Sequence, residues 1–234
     1  MTGRRSTLTL ALFFVSSIVY LGLLPFIHYP INSLIKPIPI ALLLVLTWQS
    51  FASKETKTLL SVALVFSLLG DIILTVPADL ALKAGILSFI LAHCAYIALY
   101  LRDTQLQIKR WLYFLPVLVF IAINYIYMYP YLGKMTIPAT VYLSFLSIMV
   151  LTAFQVKQHP RLIISGACLF LLSDFLLALN QFVLVDNKMI NFLIMLTYYL
   201  AQLLLVYGLS QRQHQTNLAI ATLRSDSTRK SSFI

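Results

Sequence analysis

Apolar residues run along this chain in stretches of about 17 to 22 positions, each ended by a short cluster of proline, asparagine or charge. At a rise of 1.5 Å per residue, a helix needs about 20 residues to cross roughly 30 Å of hydrocarbon. Each stretch therefore has the length of a transmembrane helix, and eight are expected, over residues 8–26, 34–52, 58–78, 85–101, 111–129, 136–154, 163–184 and 190–209. The breaks hold turn formers and charges: Pro30 and Asn32, Lys54 and Lys57, Asp79 and Lys83, Arg102 and Arg110, Pro130 and Lys134, Gln155 and Arg161, Asp186 and Lys188. None is long enough to separate two domains. The expected fold is all-α, one integral membrane bundle of eight helices over residues 1–210, followed by a polar tail, 211–234, that reads as a flexible cytoplasmic end.

Composition agrees with this pattern. The 234 residues are 60% hydrophobic and only 10% charged, with a mean hydropathy of +0.90, more apolar surface than a soluble domain of this size can hide. The formal net charge of +10 does not point to nucleic acid, because the charge is distributed by side. With a cytoplasmic N-terminus, all of the 17 basic residues except Lys36, Lys83, Lys134 and Lys188 fall on the cytoplasmic side. That asymmetry places both termini in the cytoplasm, and a bacterial-type inner membrane is the expected location. The first stretch follows Arg4 and Arg5 but meets no small-residue cleavage site, so it reads as a retained helix rather than a signal peptide. Cys94 and Cys168 both lie inside spans, which gives no basis for a disulfide framework or a zinc cluster.

Against this background two acids stand out. Asp71, in Leu68-Leu69-Gly70-Asp71-Ile72-Ile73-Leu74, and Asp174, in Leu171-Leu172-Ser173-Asp174-Phe175-Leu176-Leu177, each interrupt an apolar span. An ionised carboxylate in hydrocarbon costs several kcal/mol, so such a group is neutralised, paired or functional. The plain alternative is that each acid only joins helices through hydrogen bonds. At an offset of 103 residues Leu68, Leu69, Asp71 and Leu74 match Leu171, Leu172, Asp174 and Leu177, then Phe89 matches Phe192 and Tyr96 matches Tyr199. The third and fourth spans thus echo the seventh and eighth, which suggests parallel duplication of a four-helix unit.

Helical phase groups further polar residues with the acids. Ser67, Asp71 and Thr75 form one line at i, i+4 and i+8, and His93, Tyr96 and Tyr100 share a face of the fourth span. On the eighth span Gln202 shares a face with Tyr198 or with Tyr199, and on the seventh Ser173 aligns with Asn180. Asp71 and Asp174 come to roughly 17 to 20 Å, and His93 and Tyr199 to roughly 15 to 18 Å, from the cytoplasmic side. The polar groups thus gather at mid-membrane to its outer half, and four such stripes are satisfied if they face one shared cavity. His93 by itself is equally readable as a packing histidine. Lys36 opens the second span and reads by default as an interfacial, snorkelling lysine, with a phosphate-facing role as the sharper alternative. Tyr20, Tyr29, Trp48, Trp111, Tyr113, Tyr127, Tyr129 and Tyr131 sit near span ends and read as an interfacial aromatic belt.

Several chemistries are set aside by the residues. A zinc hydrolase wants three protein ligands, yet His28, His159 and His214 lie at interfaces or in the tail. There is no Gly-x-Ser-x-Gly elbow and no phosphate loop. The intramembrane aspartyl protease pattern fails because Leu68 stands where its first glycine belongs and Ser173 precedes the second acid.

The ordered set Lys36-Pro37, Phe66-Ser67-Leu68-Leu69-Gly70-Asp71, Gly85 with Phe89, His93 and Tyr96, Ser173-Asp174 through Asn180 with Phe182, and Tyr198-Tyr199-Leu200-Ala201-Gln202 resembles the YhhN-like lysoplasmalogenase family over residues 34–209. The resemblance implies an eight-helix membrane hydrolase with no cofactor or metal, acting on a lysophospholipid within membrane lipid. It would cleave the vinyl ether of lysoplasmalogens to a fatty aldehyde and glycerophosphocholine or glycerophosphoethanolamine. Such hydrolysis protonates the β-carbon to give an oxocarbenium ion, which water captures as a hemiacetal that then collapses. Two carboxyls suit this, because in a low-dielectric cavity ionising one makes ionising the other harder, and glycoside hydrolases meet a related cation with two carboxyls. Asp71 and Asp174 are the expected catalytic pair, their roles not ordered. Lys36, Ser67, His93, Tyr96, Ser173, Asn180, Tyr198, Tyr199 and Gln202 are the expected binding or supporting residues. The competing class is a lipid or proton-coupled solute carrier, for which midplane acids and parallel repeats serve equally well.

Overall fold

The charged clusters flanking the apolar stretches become the first turns of helices. In the computed structural model, which describes residues 3–78, 80–104, 108–185 and 187–211, the elements are α1 (Arg4–Leu23), α2 (Ile31–Ile35), α3 (Ile38–Trp48), α4 (Lys54–Ile73), α5 (Ala81–Leu101), α6 (Ile108–Leu132), α7 (Thr136–Phe154), α8 (Pro160–Leu179) and α9 (Lys188–Ser210). A 3-10 turn, Gly133–Met135, joins α6 to α7, and a wide π turn, Asn180–Leu184, extends α8. The tail expected over 211–234 falls, beyond Gln211, outside the described residues, as do Asp79 and Asp186 of two expected turns.

Helix ends differ from the apolar limits in a consistent sense. α1, α4 and α6 begin several residues earlier than hydrophobicity predicts, because Arg4, Lys54 and Lys109 are good helix formers that extend the spiral past the hydrocarbon limit. The first three spans also stop earlier than expected, before Pro25, at Gln49-Ser50 and before Pro77. Local caps set the starts: the Ser53 hydroxyl accepts from the Thr56 N–H at 3.1 Å, and Asn187 Oδ1 accepts from Met189 and Ile190 at 3.0 and 3.3 Å. The second span is broken, since Pro37 and Pro39 supply no N–H and α2 gives way to α3 at Lys36.

Among the described residues, seven helical stretches are long and apolar enough to cross a membrane. The longest, Ile108–Phe154, folds back on itself: Gly133 takes the left-handed conformation at φ 49°, Tyr125 meets Thr140 at 2.7 Å, and Arg110 at its start donates to the carbonyls of Phe154 and Val156 at its end. α6 and α7 are thus an antiparallel hairpin.

The molecule is apolar on its outside and buries a set of polar side chains within its core. Ile18, Ile123, Ile126 and Ile137 are more than 60% exposed, while Ser67, Asp71, His93 and Gln202 are at 2% or less. That inversion is what a lipid-facing surface requires, and the fold is that of a multi-pass helical membrane protein. Tyr20 departs from the aromatic belt proposed for it: it is 1% exposed and donates to Asn32 at 2.9 Å, because α1 packs that face on α3 and α9. The other seven belt aromatics are about half exposed or more.

Two hairpins, α4–α5 and α8–α9, are the most intimately packed. Small residues let their backbones approach. A Cβ on Gly70 would lie 2.6 Å from the Phe89 ring, and one on Gly166 would lie 2.8 Å from Leu205 and 3.1 Å from the Ala201 carbonyl. Each hairpin is also tied by a serine donating across it, Ser88 to the Phe66 carbonyl at 2.6 Å and Ser173 to the Ile194 carbonyl at 3.0 Å. Gly166→Leu is expected to destabilise the protein by about 1–3 kcal/mol or more, read as a lower melting temperature in detergent. Gly22→Leu, facing open space, should leave that temperature unchanged.

Candidate functional site

The break between α2 and α3 begins the site. Lys36 caps α2 and its side chain turns inward, 12% exposed, to place Nζ 3.3 Å from Asp71 Oδ1. This corrects the snorkelling expectation: a carboxylate across the bundle is a stronger attraction for the ammonium than the interface, since neither group has water to solvate it. Tyr198 of α9 completes the cluster, donating its hydroxyl to Asp71 Oδ2 at 2.8 Å. Tyr199, one residue on, points to the break itself and donates to the Lys36 carbonyl at 2.7 Å. One turn from Asp71 toward the start of α4, Ser67 accepts from Gln202 Nε2 at 3.1 Å, and Tyr96 donates to Gln202 Oε1 at 2.6 Å. The polar line of α4 ends at Thr75, 2.6 Å from Ser33. That stripe therefore faces α2 and α9.

Asp174 belongs to a second cluster. Tyr142 of α7 donates to Asp174 Oδ2 at 2.6 Å, His93 Nε2 lies 3.2 Å from the Tyr142 oxygen, and His93 Nε2 stands 4.0 Å from the same carboxylate oxygen. Since Tyr142 gives its one hydrogen to the acid, its oxygen accepts from His93, and Nε2 carries a hydrogen. His93 is fully buried, and Nδ1 meets no partner. Tyr142 escaped the sequence reading; its position inside the 136–154 span rather than at an end is the signal that could have found it.

Between the acids lies an aromatic wall. Phe89 packs on Phe170 and Tyr198 at centroid distances of 6.2 and 6.1 Å, and Phe170 packs on Tyr198 and His93 at 5.6 and 5.1 Å, all edge to face. A cavity of about 130 Å³ opens on the Asp174 side of this wall, lined by Phe89, Tyr142, Asp174 and mainly apolar residues of α5 to α8. Asp71 is not in that lining. The polar stripes expected to share one cavity are divided, because His93 and Tyr96, although on one helix face, diverge to α7 and α9. Ser173 is spent on the Ile194 carbonyl, and Asn180 holds the turn before α9 through Asn191 and the Asn187 N–H at 2.8 and 2.7 Å. Among the described residues no three His, Cys, Asp or Glu side chains gather in a metal-binding group.

Fold and site together define a class: a multi-pass helical membrane protein with two separately held intramembrane acids. The chain belongs to the YhhN family, whose sequence profile matches residues 31–209. Curated relatives include proteins named lysoplasmalogenase from Mycobacterium bovis and Mycobacterium tuberculosis, each 32% identical over 152 residues, or 62% of this chain. The match spans 58% of the length of those relatives. No solved structure matches the chain.

Lys36→Met leaves Asp71 buried without its cation and is expected to destabilise the protein by about 3–5 kcal/mol. The double variant Lys36→Met/Asp71→Leu should recover most of that loss. Thermal unfolding of the purified variants in detergent checks both, and a stable single variant would show that the pair does not hold the break against α4.

Proposed function

We propose that the protein is a membrane hydrolase that cleaves the vinyl ether bond of lysoplasmalogens. The observation that carries this reading is Asp174 in the wall of an apolar cavity, with Tyr142 bonded to it and His93 alongside. An alkenyl chain suits such walls, and an acid without an opposed cation suits carbon protonation. The names of the mycobacterial relatives agree.

In this reading the roles of the two acids separate. Asp174 transfers its proton to the β-carbon of the vinyl ether, and the C=C electron pair forms the new C–H bond. The resulting oxocarbenium ion is stabilised by the Asp174 carboxylate. Water adds to the α-carbon and returns a proton to Asp174, Tyr142 holding that carboxylate in place. In the collapse of the hemiacetal Asp174 gives its proton to the glycerol oxygen as that C–O bond breaks, the C=O of the aldehyde forms, and the hydroxyl proton returns to Asp174. Asp71, behind Phe89 and Tyr198, offsets the Lys36 ammonium so that no unpaired positive charge lies near the cation, and it does so without touching substrate.

Purified Asp174→Asn is expected to lose about 10²–10⁴-fold in aldehyde release, and Tyr142→Phe about tenfold, the worth of one hydrogen bond. Asp71→Asn should fall between them. Aldehyde trapping from lysoplasmalogen in detergent checks this; it needs no ion gradient, so a carrier would release nothing. Full turnover by Asp174→Asn would remove that acid from the chemistry.

The same reading has the chain crossing eight times, both ends cytoplasmic, in an inner membrane of bacterial type. The α6–α7 hairpin and the sidedness of the basic residues support it. Duplication finds support in the crossed arrangement of the acids: Asp71 on α4 is reached by Tyr198 of α9, and Asp174 on α8 by His93 of α5. Cysteines replacing Lys134 and Lys188 should react with an impermeant thiol reagent applied to intact cells, and a cysteine replacing Lys57 should not. The opposite pattern would invert the topology.

A further inference from the structure

The cavity is too small for a whole lysolipid. Pockets that enclose a drug-sized ligand hold about 300–1,000 Å³, against about 130 Å³ here. Its long axis follows the helices from the end near the Gly133–Met135 turn, where Gln181 is exposed, to a floor of Leu146 and Leu171, 1% and 4% exposed. Asp174 stands about one turn above that floor. From Asp174 to Gln181 is about 10 Å along α8. The nine bonds from an ether oxygen through glycerol and phosphate to a headgroup amine also span about 10–11 Å when extended, at roughly 1.2 Å per bond. A lysolipid with its headgroup at the mouth would therefore present its ether to Asp174, and its chain would meet a closed floor.

One wall offers a way out. α6 packs chiefly on α7 and touches α8 at few points. Beside Asp174, about one turn above the floor, this seam is closed by Phe120 of α6 against Phe175 of α8, with ring centroids 5.6 Å apart at 75°. Both rings line the cavity, and Phe120 is also 36% exposed on the outer surface. All of α6's lining residues fall after Pro116, which with Pro130 supplies no N–H to the helix ladder, and before Gly133, whose left-handed backbone begins the turn to α7.

We propose, on the lysolipid reading above, that the α6–α8 seam at Phe120 and Phe175 is the chain subsite, through which the alkenyl chain passes from the cavity into the bilayer while the headgroup stays at the Gln181 mouth. Selection among substrates then acts on the first carbons after the vinyl ether, which cross between the two rings, and little on total chain length.

Two measurements on the full chain in lipid nanodiscs test this. Narrowing the seam with Phe175→Trp should lower the ratio of turnover on a hexadecenyl to that on a butenyl lysolipid by at least about tenfold; an unchanged ratio would overturn the proposal. A non-hydrolysable alkyl-ether lysolipid with a diazirine at its chain end should label wild-type protein on outward residues beyond the seam, among them Val119 and Leu172. Label on Leu143 and Leu146 at the floor, or none, would overturn it. Wild-type protein that releases no aldehyde would end the hydrolase reading, and the label positions would still decide the path of the chain.

Discussion

A charge that leaves water for hydrocarbon is costly unless it is paired or neutralised, and in this protein Lys36 and Asp71 meet that demand by pairing. The lysine comes from the break between α2 and α3, the acid from the middle of α4, and Tyr198 of α9 takes the second carboxylate oxygen. Three separate parts of the chain are thereby held at one point by groups that water cannot replace. Tyr199 adds a bond to the Lys36 carbonyl and fastens the break to the same helix. The α4–α5 and α8–α9 hairpins, which carry Asp71 and Tyr198 to this point, close on their own glycines and serines.

The second acid lives under a different constraint. Asp174 has a tyrosine and a histidine for company and a cavity beside it, where Asp71 has a lysine and is sealed. Two acids that look equivalent along the chain are thus set in unlike surroundings, one balanced and one available. An aromatic wall of Phe89, Phe170 and Tyr198 keeps the two sets of hydrogen bonds apart. In the proposed chemistry this separation orders their roles, with proton transfer on the cavity side and fixed charge behind the wall.

The lipid-facing side shows what such a site requires of its surroundings. A substrate that is itself a membrane component need not arrive through water, and α6, which carries Pro116 and Pro130 and is lightly joined to α8, is the wall through which the proposed chain path leads to the bilayer. The Lys36–Asp71 pair lies away from this wall, behind Phe89 and Tyr198.

Hydrophobic runs alone determined that the chain is a helical membrane bundle, because crossing hydrocarbon demands long apolar helices and little else has that signature. They also singled out Asp71, Asp174 and His93, since a polar group inside such a run is conspicuous. What they could not convey is which groups meet. Lys36 next to Pro37 reads as an interfacial lysine until a carboxylate from another helix comes within reach of its ammonium, and Tyr142 reads as one more tyrosine until Asp174 packs beside it. Ser173 and Asn180 share one helix phase, one residue round from Asp174, yet the tertiary arrangement gives them carbonyl and turn partners. Helical phase assigns a face, and the packing of other helices decides what that face touches. The division of one expected cavity into two clusters was therefore settled only when α7 and α9 took their places on opposite sides of His93 and Tyr96.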